Sequence, residues 1–184
     1  MNRRNKTLRR ERKLIPADLH DVSPPPEDAR PQTTVEFDSV DPEQCPNVEL
    51  MLDWAAAALR DPDAAASIRI VGPEEMRASN QRWRNADYAT NVLSFPADLP
   101  AEFGLPHLGD ILICAQVVEA ERRQQNKSAT AHWAHMIVHG MLHLQGYDHE
   151  NDEDSAVMEA LEIDILAGLG FANPYLESAP GVNV

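Results

Sequence analysis

Two histidines four residues apart, His139 and His143, carry the clearest chemical signal in this chain, and His149 follows closely behind them. On a helix, residues i and i+4 share one face, so the two imidazoles aim at a common point. Gly146 is suited to ending that helix and turning the chain so that His149 reaches the same point. Three neutral nitrogen donors with the fourth place open make the donor set of a catalytic zinc, whereas a structural zinc is closed by four protein ligands. We therefore expect one zinc ion per chain, held by His139, His143 and His149. The same imidazoles also accept nickel, copper and iron.

The spacing His-x3-His-x5-His, with a glycine third after the second histidine, is the ligand spacing of the metzincin pattern. One position departs from it. A zincin protease places glutamate directly after the first histidine as general base, and here that position is Gly140. A metal so held still lowers the pKa of water to about 7, which serves attack on a carbonyl or a phosphoryl centre, and the spacing leaves the reaction class open. His135 lies one turn before His139 on the same face; core packing is the favoured reading, with contact to a ligand histidine as the alternative. His132 reads as a packing or surface residue, and His20 and His107 have no partner in sequence.

The elements that must position these residues follow from periodicity. Alternation of Val35 and Phe37 with polar neighbours predicts a strand over Thr33–Ser39, and an Ala-rich helix follows over Val48–Arg60. Ser67–Val71, Asn91–Phe95 and Asp110–Cys114 read as further strands. Pro73-Glu74-Glu75 opens a helix that runs to about Trp83, since proline tolerates the first turn and carboxylates complement the N-terminal dipole. Helices then fill the C-terminal half: Gln116–Lys127, Ala129–Leu144 and Asp152–Leu169. The expected fold is α+β, a small mixed sheet of about four strands packed by five or six helices, with the metal site on the C-terminal helices.

The chain has 184 residues, enough for one domain, and 43% apolar residues can supply one core. Residues 1–32 read as a disordered tail, first basic and then proline-rich; 33–175 as a single metallohydrolase domain; 176–184 as a C-terminal tail. No apolar run is long enough to cross a bilayer, so no membrane is expected, and no signal peptide is evident. Only two cysteines, Cys45 and Cys114, favour a reducing compartment, hence the cytoplasm. Seven of the 16 Lys and Arg residues lie in the first 13 positions; the remainder carries nine basic and 29 acidic groups. Most of that surface repels a polyanion unless the remaining basic residues gather on one face.

The segment His139-Gly-Met-Leu-His-Leu-Gln-Gly-Tyr-Asp-His149 closely resembles the signature of the YbeY family of bacterial endoribonucleases. Asn80-Gln-Arg-Trp-Arg84, Ala89-Thr-Asn-Val-Leu-Ser-Phe-Pro96, Leu108-Gly-Asp-Ile111 and Met158-Glu-Ala-Leu-Glu162 resemble the family's other motifs, so the likeness covers about residues 33–175; Ser79 stands where leucine is expected. The resemblance implies an α+β fold with zinc on His139, His143 and His149, and cleavage of single-stranded RNA. It further implies a role in maturing ribosomal RNA, notably at the three-prime end of the small-subunit RNA, and in ribosome quality control. The implied partners are single-stranded RNA, ribosomal RNA or the small ribosomal subunit. Arg84 corresponds to the family's functionally important arginine, expected to face the metal across the cleft, where a guanidinium can hold a phosphate and stabilise developing charge.

In that light Arg77, Arg82, Arg84, Arg122, Arg123 and Lys127, six of the nine basic residues after position 13, are candidates for a positive channel that threads a single strand. Tyr147 and Asp148, beside His149, are candidates for orienting a ligand imidazole or touching substrate. Two other readings compete. One is a metal-dependent hydrolase of another substrate such as peptides, using a base other than the missing glutamate; the other is a non-catalytic ribosome assembly factor with a structural metal.

Overall fold

A computed structural model describes residues 32–38, 40–97 and 107–176. The two expected tails fall almost wholly outside the described residues. Among the described residues there are four strands, β1 (Thr34–Asp38), β2 (Ala65–Val71), β3 (Val92–Pro96) and β4 (His107–Cys114), and five α-helices, α1 (Val48–Ala58), α2 (Pro73–Arg84), α3 (Ala115–Gln124), α4 (Ala129–Leu144) and α5 (Asp152–Gly168), in the order β1-α1-β2-α2-β3-β4-α3-α4-α5. A short 3-10 turn, Pro42–Gln44, precedes α1. The α+β reading is borne out, with four strands and five helices. No helix among the described residues is long and apolar enough to cross a membrane.

The sheet order is β1-β2-β4-β3. β1, β2 and β4 run parallel, and β3 returns antiparallel along the edge of β4. Because side chains alternate across a strand, Ile68, Ile70, Ile111 and Ile113 enter the main core with Met51 and Trp54 of α1 and Trp133, Ile137 and Met141 of α4. Val71, Leu93, Leu112 and Cys114 form a smaller cluster on the opposite face with Met76 of α2. Each such aliphatic side chain, fully withdrawn from water, contributes about 1.5–3 kcal/mol.

Helix α4 is the central pillar. Ser128 caps it by accepting from the Ala131 N–H at 3.1 Å, and eleven of its sixteen residues are buried. The helix lies close on the sheet at Gly140, where a Cβ would meet Ile111 Cγ2 at 3.0 Å and Cδ1 at 3.1 Å. The position is crowded, and a larger residue there, such as the zincin glutamate, would require Ile111 to give way.

β4 begins at His107, three residues before its expected start. The reason is Gly109, which reads as loop punctuation but lies within the strand at φ 135°. A Cβ there would stand 2.2 Å from the Phe95 carbonyl oxygen, so the glycine serves a close backbone approach between β3 and β4.

Candidate metal centre

His139 and His143 occupy the last two turns of α4. The helix stops at Gln145, after which Gly146 takes the left-handed conformation at φ 86° and the Tyr147 N–H donates back to the Leu142 carbonyl at 3.2 Å. This glycine stop reverses the chain and returns His149 to the helix. Gln145 anchors the corner to α1: its amide donates to the Ala58 carbonyl at 2.8 Å and its carbonyl accepts from the Arg60 N–H at 2.9 Å.

The result is convergence. His139 Nε2 and His143 Nε2 are 3.1 Å apart, and the nearest donor nitrogens of His139, His143 and His149 all lie within 4.8 Å of one another. Two bonds of about 2.0–2.1 Å at a tetrahedral zinc place their nitrogens roughly 3.4 Å apart, so the two helical imidazoles already stand at ligand spacing. Burial, with His139 and His149 nearby, holds His143 down at about 4. It therefore offers a lone pair at neutral pH without first shedding a proton. The donor set fits one borderline-soft divalent cation with an open side.

Behind His139 stands Glu162 of α5, 1% exposed. Its Oε1 accepts from His139 Nδ1 at 2.8 Å and lies 3.5 Å from His135 Nε2, while Oε2 accepts from the Tyr175 hydroxyl. Burial pushes this carboxyl up, but the approach of His135 and the hydrogen bonds from His139 and Tyr175 outweigh it and hold it at about 2. A carboxylate on Nδ1 puts the imidazole proton there and turns the Nε2 lone pair toward the metal point. His135, His139 and Glu162 also group closely enough to hold an ion. In the structure, however, Glu162 is engaged as the hydrogen-bond acceptor of His139, which leaves Nε2 for the open triad.

A cleft of ≈ 690 Å³ is lined by Arg84, Ser94, His143, Tyr147, Asp148 and His149 among others, and His139 lines a neighbouring pocket that shares His149. Arg84, the last residue of α2, makes no ion pair among the described residues, and its charge helps depress His143. It thus lines the same cleft as His143 and His149. Asp148 Oδ1 accepts from the His149 N–H at 2.7 Å and sits 4.0 Å from His143 Nδ1. Tyr147 also lines the cleft; its ring lies 4.7 Å from the Arg60 guanidinium, and its buried hydroxyl has no hydrogen-bond partner among the described residues. His132 Nε2 meets Glu121 at 3.1 Å, and Glu121 also accepts from the Asn91 amide, tying β3 to α3 and α4.

The remaining basic candidates do not line this cleft. Arg77 is bound through Nε to Asp87 at 2.7 Å, and Arg122 and Arg123 both grip Glu119 at 2.6 Å. Lys127 lines a separate pocket with His132 and His135. Burial pulls the Lys127 ammonium below its ordinary value. Arg82 lies over the Trp83 ring at 5.0 Å. Of the six, Arg84 alone lines the histidine cleft.

Glu162 escaped the sequence reading as a site residue, yet a signal was present. Met158, Glu162 and Leu166 form the buried stripe of α5, and a carboxylate in an apolar stripe is rarely buried unless paired. Tyr175, in the irregular segment after α5, carries no such signal.

Comparison with known proteins shows the family. The family model described as "Endoribonuclease YbeY" matches residues 36–170. Proteins named endoribonuclease YbeY are similar: one from Cellvibrio japonicus is 47% identical over 80% of this chain and 85% of its own length. One from Stutzerimonas stutzeri is 52% identical over 71% and 84%, and one from Pseudomonas fluorescens 50% identical over 72% and 89%. A solution structure from Thermotoga maritima superposes with a TM-score of 0.52 at 26% identity, covering 82% of this chain and 99% of that one.

Proposed function

The chain belongs to the YbeY endoribonuclease family, and from that premise we propose that it is a metal-dependent endoribonuclease of ribosomal RNA processing that cuts single-stranded RNA with one zinc ion held by His139, His143 and His149. The observation that carries this reading is that Arg84 lines one cleft with His143 and His149 of the convergent triad. A bound metal would supply Lewis acidity and a nucleophile at neutral pH. The chain supplies the rest. Arg84 can take a phosphate by two parallel hydrogen bonds and stabilise the charge that grows on it. Glu162 fixes the His139 tautomer, and Asp148 steadies the loop that carries His149.

Peptide hydrolysis is the weaker reading, because the position that carries the general base in such a site is Gly140 and is crowded against Ile111. We place the reaction in the cytoplasm, in keeping with two unpaired cysteines, and its target at the three-prime end of the small-subunit RNA, with a part in ribosome quality control. The test is cleavage of a single-stranded RNA, the matching duplex and a casein-type peptide by metal-quantified protein. Cutting of the single strand alone supports the reading; peptide cleavage without RNA cleavage overturns it.

A further inference from the structure

Large aromatic side chains are usually withdrawn from water, yet Trp83 is 62% exposed and Tyr88 63% exposed. They stand close together in the chain, at the end of α2 and in the loop that follows. The support beneath them is rigid. Asn80, 2% exposed, donates its side-chain amide to the Tyr88 carbonyl at 2.9 Å, and its own carbonyl accepts from the Ala86 N–H at 3.3 Å. Asn85 ends the helix in the left-handed conformation at φ 55°. Trp83 is steadied from the sheet by an edge contact with Phe95 of β3, with ring centroids 5.9 Å apart. Two aromatic surfaces are thus held out in water on a fixed frame.

Their surroundings are cationic. Trp83 is flanked by Arg82, whose guanidinium lies over its ring, and by Arg84, which lines the histidine cleft. Neither arginine makes an ion pair among the described residues, and the neighbouring Asp87 is neutralised by Arg77. On a chain of formal net charge -14, free guanidinium groups beside exposed rings select a polyanion that also presents flat apolar faces. An unpaired nucleic acid strand does both, whereas a duplex keeps its bases stacked inside.

We propose that Trp83 and Tyr88 form a stacking platform for unpaired bases of the RNA, with Arg82 and Arg84 taking the adjoining phosphates, so that the strand reaches the metal centre past the end of α2 and the β3 edge. The proposal rests on the ribonuclease reading above and adds the determinant of its single-strand preference. Because every base has a π-face, such a platform tolerates sequence while rejecting paired substrate.

Trp54 and Trp133, each 3% exposed, are core residues, so Trp83 is the solvent-facing indole of the three tryptophans. The experiment titrates the metal-loaded full chain with a cleavage-resistant 2′-O-methyl phosphorothioate single strand of about 12 nucleotides, reading Trp83 emission, and repeats it with the duplex form. Cleavage of ordinary RNA is assayed in parallel. The single strand should quench the exposed indole and the duplex should not. Trp83→Ala and Tyr88→Ala should each weaken single-strand binding by about 5- to 100-fold at unchanged metal content, and Trp83→Phe should restore most of the loss. If wild type cuts single-stranded RNA but its emission is unmoved and both alanine variants bind as wild type does, the platform is wrong and the ribonuclease reading survives. If wild type neither binds nor cuts single-stranded RNA, both fall together.

Discussion

Glu162 Oε1 lies 2.8 Å from His139 Nδ1, so a buried carboxylate on α5 sets which nitrogen of a ligand on α4 faces the cleft. Removing such a partner typically costs 10- to 100-fold in metal affinity. Glu162→Gln should weaken metal binding by roughly that factor, with Tyr175→Phe showing a smaller loss, both read by chelator competition. Unchanged affinity in Glu162→Gln would show that His139 needs no such partner.

Arg84 is the cation of the cleft. Arg84→Lys keeps charge but loses the forked geometry, and removal of one transition-state donor commonly costs about 10²–10³ in rate. We expect Arg84→Lys to cut RNA roughly 10- to 100-fold more slowly than wild type, with metal content unchanged. Arg123→Ala removes a cation already satisfied by Glu119 and should change the cleavage rate less than twofold, about the scatter of surface effects. A loss as large as that of Arg84→Lys would restore the wider channel.

Gly109 joins β4 to β3 so closely that a methyl group would collide with the Phe95 carbonyl. Gly109→Ala should destabilise the protein by about 2 kcal/mol or more, combining an unfavourable φ with steric overlap, and urea unfolding measures it. Equal stability would mean that the two strands separate at little cost.

Gly140→Glu installs the residue that a zincin protease carries. Because the position faces Ile111 inside the core, the variant should lose several kcal/mol of stability and gain no peptidase activity. A stable variant that hydrolyses casein would revive the peptide reading.

The legible parts of the sequence were those where local periodicity and function coincide. Helix α4 announces itself by its apolar pattern, and His139 and His143 are readable because helix geometry alone makes them neighbours. Gly146 signalled the turn that returns His149. The illegible parts depend on contacts between distant segments. Glu162 reaches His139 across two helices, and Gly109 looks like a loop residue until β3 is placed beside it. The partners of the basic candidates were hidden for a related reason: Arg122 and Arg123 share Glu119 on the same helix, so counting cations overlooked a carboxylate already bound to them.

The most direct test of the account is single-stranded RNA cleavage by purified, metal-quantified protein beside His143→Ala and Arg84→Glu. The account predicts about one metal per wild-type chain, as a single three-histidine site requires, and cleavage by wild type. It predicts loss of both metal and cleavage in His143→Ala, and loss of cleavage with metal retained in Arg84→Glu. Equal cleavage by all three proteins would contradict it, tracing the activity to a contaminant and leaving a ribosome assembly factor with a structural metal as the better reading.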